Sequence, residues 1–275
     1  SSGDEVWSLA VDSVTSTASA TQFISANKII AEPRGDGSSD LYIDFSIFGI
    51  TSVCGNATSA SNLVARVQEV IQNGDPNDPQ STTTYSLDCR WVWDGPGSLQ
   101  TQTDITVTDT DVYHASKRVR RISAATGVTV SEQGFETGSF ADIYYGSYGD
   151  QGVSIESDDS GNVYYSGIYT GTPSLIGYGP LAEAIQPSIF VAKLGPDETW
   201  RWVNSISRPI GHYDVTTDSL NSRVALSDNG VTLSVASALT GSAVFASEEL
   251  VSSGFPTEAP TSPVSGPEDV FLGLL

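Results

Sequence analysis

Short runs in which apolar or β-branched residues alternate with polar ones recur along this chain, each bounded by turn-forming residues. Asp40-Leu41-Tyr42-Ile43-Asp44-Phe45, Gly127-Val128-Thr129-Val130-Ser131, Asn162-Val163-Tyr164-Tyr165-Ser166 and Gly230-Val231-Thr232-Leu233-Ser234 are four of them. A period of two sends successive side chains to opposite faces, which predicts strands and not helices. Three have turn chemistry in front: Gly37-Ser38-Ser39, Asp158-Asp159-Ser160-Gly161 and Asp228-Asn229-Gly230. A second set is nearly continuous in apolar residues: Leu63-Val64-Ala65-Arg66-Val67, Ile189-Phe190-Val191-Ala192-Lys193-Leu194 and Val270-Phe271-Leu272-Gly273-Leu274-Leu275. Such runs predict the apolar strand of each repeating unit. A third set holds all five tryptophans in the pattern Asp-x-x-Trp-x-(Trp/Leu): Asp4-Glu5-Val6-Trp7-Ser8-Leu9, Asp88-Cys89-Arg90-Trp91-Val92-Trp93 and Asp197-Glu198-Thr199-Trp200-Arg201-Trp202. Residues two apart share a strand face, so each pair is expected to bury one wide surface against a neighbouring sheet.

In chain order the unit reads strand, hairpin, strand, loop, apolar strand, tight turn, Trp strand, a four-stranded antiparallel module. The predicted fold is therefore all-β, one repeat domain of about four modules near residues 25–95, 115–150, 151–207 and 220–275, the last joined by residues 1–12. Between Ser131 and Val163 only one further strand pair stands out, near Asp142-Ile143-Tyr144-Tyr145 and Val153-Ser154-Ile155, and it has no Trp strand. The stretch 161–206, reading GNVYYSGIYTG, IFVAKL and TWRWVNSI, resembles a bacterial β-propeller repeat. The likeness is partial over 220–275 and loose over 25–95. It implies a propeller-like arrangement of blades, generally extracellular and non-catalytic.

The two ends of the sequence complement each other. The apolar run at 269–275 followed by residues 1–9 resembles Ile189 to Trp202, turn included. The last module is thus expected to lack a fourth strand, which Val6, Trp7 and Leu9 would supply beside Val270, Phe271 and Leu272. In one arrangement residues 6–11 clasp the last module of their own chain, the usual solution in propellers. In the other they complete the module of a neighbouring copy, a heterologous contact that builds a ring or an open filament. Either covers an apolar sheet edge.

Charge narrows the partners. Twelve Lys and Arg face 33 Asp and Glu, a net of −21, and phosphate backbones or anionic membrane surfaces repel such a chain. Nucleic-acid binding is not expected, and with no run of 18 apolar residues neither is membrane insertion. The Ser1-Ser2-Gly3 start, without methionine anywhere, reads as a mature, processed N-terminus. Cys54 and Cys89 are read as a disulfide, with two buried thiols as the alternative. Closing a loop of that span stabilises by about 3 to 4 kcal/mol on the chain-entropy picture and places the protein in an oxidising compartment. Zinc would need four Cys and His in close pairs, which these residues do not form. Asn56-Ala57-Thr58 is a glycosylation sequon two residues past Cys54.

No residue pattern singles out catalysis. His114 and His212 are the only histidines, no Gly-x-Ser-x-Gly elbow accompanies them, and both are read as residues of loops between modules. With 33 carboxylates, pairs are unavoidable and so carry no information about glycoside chemistry. Asp36-Gly37-Ser38-Ser39-Asp40, Gly74-Asp75-Pro76-Asn77-Asp78 and Asp158-Asp159-Ser160-Gly161-Asn162 are read as turns, with Ca²⁺ coordination as the minor alternative. Arg34-Gly35-Asp36 spells the integrin tripeptide but falls where a turn already requires glycine. Lys117-Arg118-Val119-Arg120-Arg121 is either a dock for a neighbour's acidic patch or a strand face balancing local acids. Tyr144, Tyr145, Tyr148, Tyr164, Tyr165 and Tyr169 suit strand packing better than sugar stacking. Residues 254–267, with four prolines, are read as a loop before the last strand, either an exposed, O-glycosylated flap or a contact arm. The expected function is a secreted, non-enzymatic structural subunit, without cofactor, that self-associates into a surface layer or filament. The alternative is a monomeric propeller that binds carbohydrate or another cell-surface ligand.

Overall fold

The computed structural model describes residues 12–13, 23–48, 51–58, 62–72, 83–95, 103–116, 118–136, 153–206, 222–227, 232–239, 242–245, 248–251 and 269–274. Among these the regular structure is all strand, with no helix, and the sheets are antiparallel. The chain divides into two compact units, residues Ser1–Leu99 with Ile122–Val128, and Gln100–Arg121 with Thr129–Leu275.

The first unit contains β1 (Asp12–Ser13), β2 (Phe23–Pro33), β3 (Ser39–Phe48), β4 (Thr51–Val53), β5 (Asn56–Thr58), β6 (Asn62–Gln72) and β7 (Thr84–Asp94). Its main sheet has the order β2-β3-β6-β7, and a small sheet β1-β4-β5 is built around the hairpin between β3 and β6. The period of two in β3 puts Leu41, Ile43, Phe45 and Ile47 on one face. There they pack with Leu63, Ala65 and Val67 of β6 and with Val53. Tyr42, Val64, Trp91 and Trp93 are buried as well. The near-continuous apolar run of β6 has buried residues on both faces, Leu63, Ala65 and Val67 on one and Val64 on the other. Cys54 and Cys89 are joined in a disulfide that ties the β4–β5 turn to β7.

The second unit holds three sheets. Strands β8 (Asp104–Val107), β9 (Asp111–Ala115), β10 (Arg118–Ser123) and β11 (Thr129–Gly134) follow in the order β11-β10-β9-β8. Next come β12 (Ser154–Ser157), β13 (Val163–Gly171), the short hairpin β14 (Ser174–Leu175) and β15 (Gly179–Pro180), β16 (Ala184–Leu194) and β17 (Trp200–Ile206), with sheet order β12-β13-β16-β17. The last are β18 (Ser222–Leu226), β19 (Leu233–Leu239), the hairpin β20 (Ser242–Phe245) and β21 (Glu248–Val251), and β22 (Asp269–Leu274), in a three-stranded sheet β18-β19-β22. Three of the four main sheets therefore carry a small hairpin between their second and third strands: β4–β5, β14–β15 and β20–β21.

Alternation along β13 separates two cores. Val163, Tyr165 and Tyr169 face Tyr113, Ala115, Val119 and Phe135 of the preceding sheet, while Tyr164 and Ile168 face Val224, Leu233 and Val235 of the following one. Phe190 anchors the first core, in edge contact with Phe135, Tyr165 and Tyr169 at ring-centre distances of 5.3, 5.1 and 6.2 Å. A Cβ on Gly167 would come within 2.9 Å of the Phe190 ring, so this strand position accepts only glycine.

Several sequence expectations shift. The second sheet opens at Asp104 and closes at Gly134, whereas the sequence placed its module at 115–150. The run at 127–131 enters β11, the fourth strand of its sheet, and the second-strand position belongs to β9. Ser154 and Ile155 belong to β12, and residues 142–145 lie outside the described residues. His114 is no loop residue but sits within β9, fully buried. The tryptophan pairs also differ from one another. Trp91 and Trp93 share a face, whereas a β-bulge at Arg201 turns Trp200 into the first core and Trp202 into the second.

Candidate functional site

The edge of the last sheet, where no described strand follows β22, is the feature that bears on the expected self-association. β22 pairs with β19 from Ser234↔Leu274 to Leu239↔Asp269, placing Val270, Phe271 and Leu272 opposite Ala238, Ser237 and Ala236. It thus occupies the third-strand place that β6 and β16 hold in their sheets, where β7 and β17 follow as fourth strands. No described strand pairs with the other edge of β22. Val6, Trp7 and Leu9 lie outside the described residues.

What a fourth strand does is visible in the complete sheets. In the first, Tyr42, Arg66 and Trp91 are direct cross-strand neighbours on β3, β6 and β7. The Arg66 guanidinium lies 5.8 Å from the centre of the Tyr42 ring, and the Tyr42 and Trp91 rings are 6.2 Å apart. Asp40 takes a 2.8 Å hydrogen bond from Arg66. A cation is tolerated in this half-buried setting because the Tyr42 ring face, a carboxylate and a backbone carbonyl replace its water. Arg66 Nη1 and Trp91 Nε1 both donate to the Ala124 carbonyl, at 2.7 and 2.9 Å, in the turn between β10 and β11. Gly127 of that turn has φ +70° and lies so close to Trp91 that a Cβ would stand 2.7 Å from the indole, which leaves glycine as the fitting residue.

The same ladder recurs in the third sheet. Tyr164, Lys193 and Trp202 are aligned across β13, β16 and β17. Lys193 Nζ lies 4.8 Å from the centre of the Tyr164 ring, donates to its hydroxyl at 2.7 Å, and stands 3.8 Å from Asp158. The Tyr164 and Trp202 rings are again 6.2 Å apart. In both sheets the register shifts just after the cation, skipping Arg90 in β7 and Arg201 in β17. Trp91 is therefore the counterpart of Trp202, although the shared Asp-x-x-Trp pattern aligns it with Trp200.

The second sheet keeps the cation without the tryptophan. Arg121 of β10 binds Asp111 at 2.9 Å and Glu198 of the β16–β17 turn at 3.0 Å. Ser131 donates to the same Glu198 oxygen at 2.6 Å. The hydrogen bonds from Arg121 to Asp111 and Glu198 raise its pKa above the ordinary arginine value, so it is charged at any working pH. Arg118 and Arg120 of the same run both pair with Glu132 within their own sheet, and Lys117 lies outside the described residues. Locally balanced charge is the reading that these contacts favour over a dock for a neighbour's acids. Alternation explains the split, with Arg118 and Arg120 on one face and Arg121 on the other.

The acidic loops are closed turns. Asp36 Oδ1 accepts from the Ser38 amide and hydroxyl. The Asp158 carboxylate collects the amides of Ser160 and Asn162, the Asn162 side chain and the Tyr164 hydroxyl. Burial works against charge on Asp158, but these donors outweigh it and hold the carboxyl below its usual range. Among the described residues no three His, Cys, Asp or Glu gather as metal ligands, and 74–78 lie outside them. Of the tyrosines, Tyr164, Tyr165 and Tyr169 are buried packing residues, while 144, 145 and 148 fall outside the described set, as does His212. Asn56 opens β5 opposite Val53, beside the Cys54-Gly55 turn and its disulfide. His114 is neutral: burial, aided by the nearby charge of Arg120, pushes its pKa down to about 3.

The ladders escaped the reading of the sequence, though a signal existed. Val64-Ala65-Arg66-Val67 and Val191-Ala192-Lys193-Leu194 each place one basic residue inside an apolar strand, where it requires partners. No known family and no curated protein matches this chain.

Proposed function

We propose that the chain is a non-enzymatic extracellular structural protein whose stacked sheets are blades of a propeller-like repeat. Copies associate into a surface layer or filament when residues 6–11 of one complete the last sheet of the next. One observation carries this reading: among the described residues the last sheet has three strands, with β22 at its edge, where the other three main sheets have four. An unpaired apolar strand edge is a template for another strand, and addition of that kind is heterologous, so it propagates. The segment Asp4-Glu5-Val6-Trp7-Ser8-Leu9 has the sequence of such a strand, because it repeats the turn and the start of β17. The Cys54–Cys89 disulfide suits an oxidising exterior.

The test is mass and shape in solution, by light scattering with negative-stain microscopy, for the intact chain and for a variant lacking residues 1–12. Rings or filaments from the intact chain and monomers from the shortened one are expected. A compact monomer from the intact chain at all concentrations would contradict the proposal and turn attention to surface-glycan binding by a self-clasped molecule.

A further inference from the structure

The fourth strands of the three four-stranded sheets, β7, β11 and β17, differ in what they present along their edges. In β7 and β17 the register shifts at Arg90 and Arg201, the residues just before the tryptophans that face Arg66 and Lys193. Both arginines are exposed and paired with a nearby acid, Asp88 at 3.0 Å and Asp197 at 2.8 Å. Bulges and charges of this kind keep an edge from pairing with another strand. β11 carries no such charge. Ser131 shares an oxygen of Glu198 with Arg121, and the residue just before Ser131 is Val130. Val130 is 54% exposed and Val128 is 62% exposed. From Ile122 to Ser131 the sequence holds no charged residue, in a chain whose net charge is −21.

We infer that β11 pairs edge to edge with β11 of a second copy, antiparallel about a two-fold axis at Val130. Each Val130 then stands opposite its counterpart. The backbone is set for it. Gly134 O accepts from Ile176 N, and Glu136 N donates to Ser174 O, both towards the β14–β15 hairpin. Backbone groups alternate in direction along an antiparallel strand, so those of Glu132 and Val130 point to the same edge as those of Gly134. The hairpin closes that edge at its far end, through the bridge from Phe135 to Leu175. At the Val130 end no described strand lies beyond β11.

Charge identifies the partner as another copy of this chain. Two molecules of net −21 repel each other, and they approach closely where neither presents a charge. The charged residues nearest this stretch are already engaged, Arg118 and Arg120 with Glu132, and Arg121 with Asp111 and Glu198. Two β-branched residues directly opposite each other form a favourable cross-strand pair, and the two-fold axis sets Val130 in that relation to itself. The edge strand β2 also exposes an aliphatic residue, Ile29 at 59%, but it is defended by a register shift at Asn27, by Glu32, and by Pro33, which has no amide to donate. The β11 contact goes beyond strand completion. A heterologous contact alone builds a ring or a filament, whereas an added two-fold contact joins such assemblies side by side, as a layer requires. One strand edge is a small interface, so the pairing is weak between isolated copies and adds up along aligned ones.

Thiol cross-linking of the full chain tests the contact. Both native cysteines are joined to each other, so Val130→Cys carries a single free thiol. Mild oxidation should give a disulfide dimer on a non-reducing gel. Ile29→Cys and Tyr178→Cys, at positions 59% and 46% exposed, should give far less. Equal yields at the three positions would mean random collision and would overturn the pairing. Added salt screens the repulsion between copies and should raise the Val130→Cys yield, whereas a fall would point to a charged contact and contradict the inference. Val130→Lys sets two lysines directly opposite each other and should weaken lateral association about tenfold in sedimentation, with Ile29→Lys unchanged. Circular dichroism on heating should show Val130→Lys folded as stably as the native chain, because the side chain is exposed. Filaments without the Val130→Cys dimer would overturn the β11 contact and leave strand completion standing. The dimer without filaments would do the reverse.

Discussion

The sheets β12-β13-β16-β17 and β18-β19-β22 begin alike and end differently. Each opens with a hairpin closed by a backbone bond across a polar turn, Asp158 N to Asn162 O and Ser227 N to Thr232 O. Each then inserts a two-stranded hairpin before its apolar third strand. In the first, β16 is flanked on both edges, and its one cation is held between Tyr164 and Trp202. In the second, β22 is flanked by β19, and the residue in the place of that cation is Leu274. The difference teaches that a cation inside a strand comes with partners that replace its water, a tyrosine ring and a carboxylate for Lys193, and that the sequence places leucine where those partners are not present on the neighbouring strand.

That comparison can be pressed from several sides. The largest expected effect concerns how well the complete sheets are sealed. Every residue of β9 is buried, and His114 among them stays neutral in the fold, with its pKa lowered to about 3. In the unfolded chain its pKa returns to the ordinary value near 6.5. Stability from this residue is therefore fully present above about pH 6.5 and is lost as the pH falls towards 3, a total of roughly 4–5 kcal/mol if the chain survives that far. Denaturant midpoints measured between pH 7 and 4 should fall steeply in the native chain and less steeply in His114→Gln. Parallel profiles would mean that the acid sensitivity lies elsewhere.

Next in size is the aromatic centre of the complete sheet. Phe190→Ala removes the ring that Phe135, Tyr165 and Tyr169 contact by their edges, and should cost about 3–5 kcal/mol. Circular dichroism on heating should register a fall in Tm of roughly 10 °C. A change of a degree or two would mean that the core between the second and third sheets is loosely packed.

Smaller again is the contrast between the two ladders. Arg66→Ala breaks a closely bonded pair with Asp40 and removes one of the two donors to the Ala124 carbonyl, and about 2–3 kcal/mol is expected. Lys193→Ala removes a looser contact and should cost about 1 kcal/mol in the isolated chain. Thermal unfolding of the two variants should rank Arg66→Ala well below Lys193→Ala, and equal costs would mean that the two ladders are equally tight.

Much of this architecture was legible in the sequence because period-two runs and Asp/Gly turns report strands directly. The third strands Leu63–Val67 and Ile189–Leu194 were found as apolar runs, and both lie between neighbours as buried strands do. The second sheet was misplaced because Asp104-Ile105-Thr106-Val107 and Asp111-Val112-Tyr113-His114-Ala115 are short and flanked by acids, so they read as linker. His114 was misassigned for the same reason. The opposed faces of Trp200 and Trp202 were hidden because a β-bulge changes direction without any change in spacing. The ladders were hidden because they join residues on three different strands, Tyr42 with Arg66 and Trp91 and Tyr164 with Lys193 and Trp202, whose alignment only the strand register fixes.

The most direct test of strand completion is amide hydrogen exchange along β22 in dilute and in associated protein. The amides of Asp269–Leu274 that point away from β19 should exchange rapidly in dilute solution. They should become protected on association, while those of β16 stay protected throughout. Exchange at β22 that is unchanged by association, or already as slow as β16 in the dilute chain lacking residues 1–12, would contradict completion of this edge by a neighbouring copy.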